Sequence, residues 1–116
     1  ALRRAIKVLS SGNFIGMLVD LREDSGLDIP FLGRPAKTNP SAAMLALRYE
    51  APLIALSCTR LAGPRFKFSV QEIEKVETGA IKADIFSTTQ NMTAVFDKLI
   101  LSRPGQWLWS HKRWRY

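Results

Sequence analysis

Gly12-Asn13-Phe14-Ile15-Gly16-Met17-Leu18-Val19-Asp20 carries the strongest fold-class signal in the chain. Residues 14–19 form an apolar run of strand length with no polar alternation, which predicts a strand buried on both faces, as in a parallel sheet. Asp20 then falls at the C-terminal end of that strand, where open α/β sheets bind ligands. It reads equally as a cap for the next turn or as an ion-pair partner of Arg22.

Working outward, residues 2–9 set Leu2, Ala5, Ile6 and Leu9 on one helical face, with Arg3, Arg4 and Lys7 outside and Gly12 as the stop. Residues 21–39 carry Gly26, Pro30, Gly33 and Pro35 without a sustained period, which predicts a long loop, and long loops in compact domains are often functional. Asn39 before Pro40 opens a helix reaching about Tyr49, and Pro52 closes it. Residues 53–59 read as a second buried strand. Ala62-Gly63-Pro64 turns it into residues 65–70, where Phe66, Phe68 and Val70 alternate with Lys67 and Ser69 in a strand with one wet face. A polar connection over 72–79 leads to the longest predicted helix, 83–101. This order predicts an α/β fold, a mixed sheet covered by helices.

The 116 residues are 47% hydrophobic, enough for one compact domain and not for two. Seventeen Lys and Arg against ten Asp and Glu give a formal charge of +7, which suits an anionic partner: phospholipid, phosphorylated glycolipid, nucleic acid or acidic protein. One cysteine, Cys58, excludes an internal disulfide and reads as inert apolar filler in a reducing compartment. No apolar run reaches the roughly 18 residues a membrane span needs. The first residues read as an amphipathic helix and not as a signal peptide. With no initiating methionine, the chain reads as starting in mid-domain.

The end of the chain has the most unusual composition. Trp107, Trp109 and Trp114 stand among His111, Lys112, Arg113 and Arg115 with no acid. Indole beside cations suits the headgroup region of a membrane, or stacking on single-stranded bases, or a packed segment with solvated charges. The mixed reading has Trp107 and Trp109 anchoring the segment while His111, Lys112 and Arg113 lie near a phosphorylated substrate.

Four segments, in order and with their spacing, resemble one known family. The first is the opening stretch, 12–20. The second is Ile29-Pro30-Phe31-Leu32-Gly33-Arg34-Pro35-Ala36-Lys37-Thr38, and the third is Ala46-Leu47-Arg48-Tyr49-Glu50-Ala51-Pro52-Leu53-Ile54. The fourth is Arg103-Pro104-Gly105-Gln106-Trp107-Leu108-Trp109-Ser110-His111-Lys112-Arg113-Trp114. The set is similar to the bacterial lipid A biosynthesis acyltransferases, the late lauroyl and myristoyl transferases. The resemblance runs from about Leu2 to Trp114 and is least specific between Gln71 and Asn91. It departs from the family pattern at Leu21, where Gln is usual after the strand-end Asp.

The resemblance implies a fold shared with the glycerolipid acyltransferases, no cofactor and no metal. It also implies transfer of a fatty acyl chain from acyl carrier protein to an anionic glycolipid at the cytoplasmic face of the bacterial inner membrane. The family's catalytic motif is a His followed after four residues by an acid. The sole histidine here, His111, has Tyr116 at that place, and in the family the motif lies upstream of the matched segments. Residues 1–116 therefore read as the C-terminal part of one acyltransferase domain, with no catalytic residue and no activity alone.

Acyl transfer needs a base, an acid to orient it and donors for the oxyanion, and this part is expected to supply the receiving surface instead. The candidates are Asp20, Phe31, Gly33, Thr38, Arg60, His111, Lys112 and Arg113. Against them, the loop around Phe31 to Thr38 reads as simple packing, and Arg60 as a solvated charge. The rivals are a basic nucleic-acid-binding module and a peripheral membrane-binding domain without chemistry. The cations are dispersed and no RNA or DNA motif is present, so no nucleic acid partner is expected.

Overall fold

The computed structural model describes residues 2–114, so the expectations placed on Arg115 and Tyr116 lie outside the described residues. The elements are α1 (Leu2–Ser10), β1 (Arg22–Phe31), β2 (Arg34–Thr38), α2 (Ser41–Arg48), β3 (Ile54–Arg60), β4 (Phe66–Glu72), α3 (Ile81–Ser102) and a 3₁₀ turn, Pro104–Gln106. The fold is α/β, and its strands form two antiparallel hairpins, β1–β2 and β3–β4.

Residues 14–19, expected as a buried strand, do not form one. Residues 13–19 have no regular secondary structure and join no ladder, Phe14 is 92% exposed and Leu18 84%, and Val19 alone is buried. A strand exists only where another offers its backbone groups, and β3 and β4 are paired with each other alone. Val19 instead packs as a single side chain against Ala55, Ile73 and Met92.

The predicted loop 21–39 is the first hairpin. Its two-residue turn places Leu32 at φ 49° and Gly33 at φ 85°, the left-handed pair of a type I′ turn whose twist matches the flanking strands. Pro30 and Pro35 read as loop breakers, yet they face each other in the ladder next to the turn-closing pair Phe31 and Arg34. That is a non-hydrogen-bonded position, where a missing N–H costs nothing. Gly26 sits at the irregularity between Arg22 and Leu27. A Cβ there would lie 2.2 Å from the Thr38 carbonyl oxygen, so only glycine lets the two backbones approach.

The helices follow the sequence more closely. α2 starts one residue later than expected, with Pro40 at the cap position, and Asn39 Oδ1 just outside it accepts the Ser41 N–H at 2.9 Å. The helix ends in a Schellman arrangement, with Ala51 N–H donating to the Ala46 carbonyl and Glu50 left-handed at φ 51°. α1 buries none of its residues.

α3 buries a polar stripe that the apolar periodicity does not show: Asp84, Thr88, Thr89 and Thr93, beside Met92 and Ile100. Part of that stripe holds the connection 73–80. Val76 N–H donates to Thr88 Oγ1 at 3.0 Å, and Thr78 and Gly79 N–H donate to Asp84 Oδ2 at 2.9 and 3.0 Å. These bonds, with the Thr78 hydroxyl foremost, hold the Asp84 carboxyl below the ordinary carboxylate range against the opposing effect of burial.

Two apolar clusters result, one around Val19, Ala55, Ile73 and Met92, the other around Phe31, Ala36 and Ile100, with Phe96 touching both. The second hairpin forms as expected, but with its faces reversed. Phe66, Phe68 and Val70 are exposed while Ala55 faces the core, so the wet face is the apolar one. Cys58, expected as buried filler, is exposed.

Candidate functional site

The C-terminal segment wraps the first hairpin and brings most of the candidate residues together. Trp107 Nε1 donates to Asp20 Oδ2 at 3.0 Å, and Trp114 Nε1 donates to the Phe31 carbonyl at 3.0 Å. Arg113 is buried. Its two terminal nitrogens donate to the Lys37 carbonyl at 2.7 Å and Thr38 Oγ1 at 2.8 Å, and its guanidinium stacks 4.5 Å from the centre of the Phe31 ring. A cation in this position is tolerated because its charge meets carbonyl, hydroxyl and π-face instead of bare hydrocarbon. Phe31 is also flanked by Trp107 and Trp114 at 5.4 and 5.5 Å between ring centres.

His111 Nε2 accepts the Arg22 N–H at 2.9 Å. An accepting Nε2 puts the imidazole proton on Nδ1, so this nitrogen is already occupied and does not take a proton from a hydroxyl. Beneath the turn, Asp97 Oδ1 accepts the Leu32 N–H at 3.0 Å, pinning a non-glycine residue in left-handed backbone. Burial raises the Asp97 carboxyl above its ordinary value, with the Leu32 N–H and the Arg113 charge pulling it back down.

The candidates thus separate into three groups. Phe31, Thr38, His111 and Arg113 form the interlock between the C-terminal segment and the first hairpin, with Gly33 at its tip. Asp20 is half-buried and borders a cleft. Arg60 is exposed at the end of β3, and Lys112, between His111 and Arg113, is exposed on the outside of the interlock.

The cleft, about 260 Å³, lies between the segment before β1, the free edge of β3 and the end of α3. Its walls are mostly apolar: Met17, Leu18, Leu56, Phe96, Leu99 and Ile100. Asp20, Arg103 and Gln106 supply polar groups. Sequence reasoning missed Arg103, Gln106 and the apolar lining, although the first two stand in the fourth family-like segment. Gln106 pairs with the strand edge through both atoms of its amide: Oε1 accepts the Arg60 N–H at 2.7 Å and Nε2 donates to the Arg60 carbonyl at 3.1 Å. The position of Arg60 is therefore set through its backbone, while its side chain projects into water.

The profile of a family described as bacterial lipid A biosynthesis acyltransferase matches residues 1–116. The chain belongs to this family. No curated protein gives a match. For a lipid A biosynthesis acyltransferase, an apolar cleft with an arginine and a carboxylate among its lining is a chemically suitable feature, because acyl chains need hydrocarbon walls and their headgroups need polar ones. Among the described residues, no helix is long and apolar enough to cross a membrane.

Proposed function

We propose that this chain is the substrate-receiving part of an acyltransferase that moves a fatty acyl group from acyl carrier protein to a hydroxyl of a lipid A precursor. The setting is the cytoplasmic face of the bacterial inner membrane, in lipopolysaccharide biosynthesis. The family match along residues 1–116 carries this reading, and the cleft beside Asp20 and Arg103 supports it.

In the transfer, the acceptor hydroxyl loses its proton, its oxygen bonds to the thioester carbonyl carbon, and the C–S bond breaks to release the carrier thiol. That chemistry requires a base near the hydroxyl. His111 does not offer Nε2 for this, and we place the base on a His and acid outside these residues. The present chain contributes binding. At about 260 Å³ the cleft is just below the roughly 300–1,000 Å³ of small-molecule sites, room for part of one acyl chain and not for a whole glycolipid. Asp20 and Arg103 flank the reacting end, Arg60 and Lys112 attract phosphate and the acidic carrier, and Phe31, Gly33, Thr38, His111 and Arg113 hold the frame. The charge of +7 favours both an anionic acceptor and an acidic donor protein.

The test is binding and transfer measured on the same preparation. A fluorescent fatty acid should bind the chain, and Leu56→Arg in the cleft wall should abolish that binding. Incubation with acyl carrier protein loaded with a lauroyl or myristoyl group and a lipid A precursor should give no product. Acyl transfer by residues 1–116 alone, or fatty acid binding untouched by Leu56→Arg, would overturn the assignment.

A further inference from the structure

His111 is the sole histidine of the chain, and it sits half-buried where the C-terminal segment crosses the start of β1. Two hydrogen bonds tie these stretches together: Trp107 Nε1 donates to Asp20 Oδ2 at 3.0 Å, and the Arg22 N–H donates to His111 Nε2 at 2.9 Å. A third anchor follows at once, because Arg113 donates to the Lys37 carbonyl and to Thr38 Oγ1. Thr38 is the ladder partner of Arg22. His111 and Arg113 therefore grip the two members of one strand pair, the first on β1 and the second on β2.

These anchors differ in what a proton does to them. An indole N–H and a guanidinium stay donors across the neutral range, and the carbonyl and hydroxyl that Arg113 binds do not titrate there. His111 is the acceptor of its bond. A proton arriving at Nε2 takes the lone pair that the Arg22 N–H uses and sets two N–H groups against each other, so an imidazolium and this bond exclude one another. The new charge would stand with Lys112 and Arg113 on its own segment, Arg22 on β1, and Arg34 and Lys37 on β2. The carboxylates of the adjoining elements are engaged elsewhere: Asp20 by Trp107, Glu23 by Ser25, Asp24 by Arg22, Asp28 by Lys37 and Asp97 of α3 by the Leu32 N–H. Histidine is the side chain whose ordinary charge change falls between about pH 5 and 8.

We infer that His111 is a proton-operated latch: the neutral imidazole fastens the C-terminal segment to β1, and protonation at Nε2 releases that segment while Arg113 keeps its hold on β2. The opening is local. It loosens the stretch between two anchors that no proton disturbs in this range, Gln106 on the Arg60 backbone and Arg113 on Thr38. That stretch carries the Trp107 indole holding Asp20 at the edge of the cleft, so a change of charge at His111 is felt there.

All three tryptophans lie on this segment and the histidine is single, so the latch is read on the unmodified 116-residue chain. At about pH 8 the ring-nitrogen shifts of the histidine should show its proton on Nδ1. Between about pH 8 and 5, tryptophan emission should move to longer wavelength and acrylamide quenching should rise, both in step with the histidine titration. Over the same range the Arg22 amide should lose about fivefold of its protection against hydrogen exchange, the worth of one ordinary hydrogen bond. His111→Gln, whose Oε1 accepts at a similar reach without titrating, should keep the closed emission throughout. His111→Phe, with no acceptor, should show the open emission at both ends. Asp97, whose carboxyl burial raises, is the other titrating group bonded to the first hairpin. A step that survives in His111→Gln, and disappears in Asp97→Asn, would hand the effect to that carboxyl and overturn the inference. So would a proton on Nε2 at about pH 8, or emission that stays constant through the histidine titration. No acyl donor or lipid enters these measurements, so their outcome is independent of the transfer assay.

Discussion

The two hairpins are built from similar lengths of chain and meet opposite fates. In β1–β2 the inner face is closed over by Trp107, Arg113 and Trp114, and Phe31 has no exposure to water. In β3–β4 the more apolar face is left open and the less apolar one meets the core. Apolar content does not by itself decide which strands are buried. What decides it is whether another segment arrives with side chains that can bond as well as pack. The C-terminal segment does so through indole N–H groups and a guanidinium aimed at backbone oxygens.

Four measurements test this contrast. The largest effect is expected at Phe31→Ala, which empties the centre of the aromatic interlock and should cost about 3–5 kcal/mol in chemical denaturation. A loss below about 1 kcal/mol would mean the interlock does not stabilise the first hairpin. Next, Asp97→Ala leaves the Leu32 N–H without its acceptor in a left-handed turn and should cost about 1–2 kcal/mol. Asp97→Asn keeps an acceptor and removes a charge that burial disfavours, so it should stay close to the parent at neutral pH.

The third measurement is the pH dependence of unfolding. Asp84 has a folded pKa below its unfolded one, so its contribution is complete above the ordinary carboxyl value of about 3.9 and is lost as pH falls through the lowered folded value. Asp97 has the opposite sign: its contribution is complete below the unfolded value and lost as pH rises through the raised folded one. Asp84→Asn should therefore flatten the acid limb of the stability profile, and an unchanged limb would remove Asp84 from the account. The smallest effect is expected at Phe68→Ser, on the open face, within about 0.5 kcal/mol in lipid-free solution. A cost comparable to that of Phe31→Ala would show that the face is covered after all.

The helices were legible because their signals are local. Asn39 and the apolar spacing of α3 act within a few residues of themselves. The first hairpin was hidden because its prolines read as breakers, and only the ladder shows that both occupy a position without a ladder bond. The unpaired state of residues 13–19 was also beyond the sequence, since an apolar run says that a strand is wanted and not that a neighbour exists. Of the candidate residues, Asp20 reached the cleft, while Phe31, Thr38 and Arg113 went into packing. The family-like spacing does not separate a residue that lines a cleft from one that packs the frame. Arg103 and Gln106 stood in the same segment, and the place of Gln106 at the strand edge depends on a partner 46 positions away in sequence.

The amide of Gln106, bonded to both backbone groups of Arg60, has a further consequence. A bare strand margin is a template on which foreign chains add themselves, rung after rung, toward fibrous aggregates. By imitating one rung of a neighbouring strand, the glutamine fills the last place on that ladder beside the turn, so a growing stack finds its end already taken.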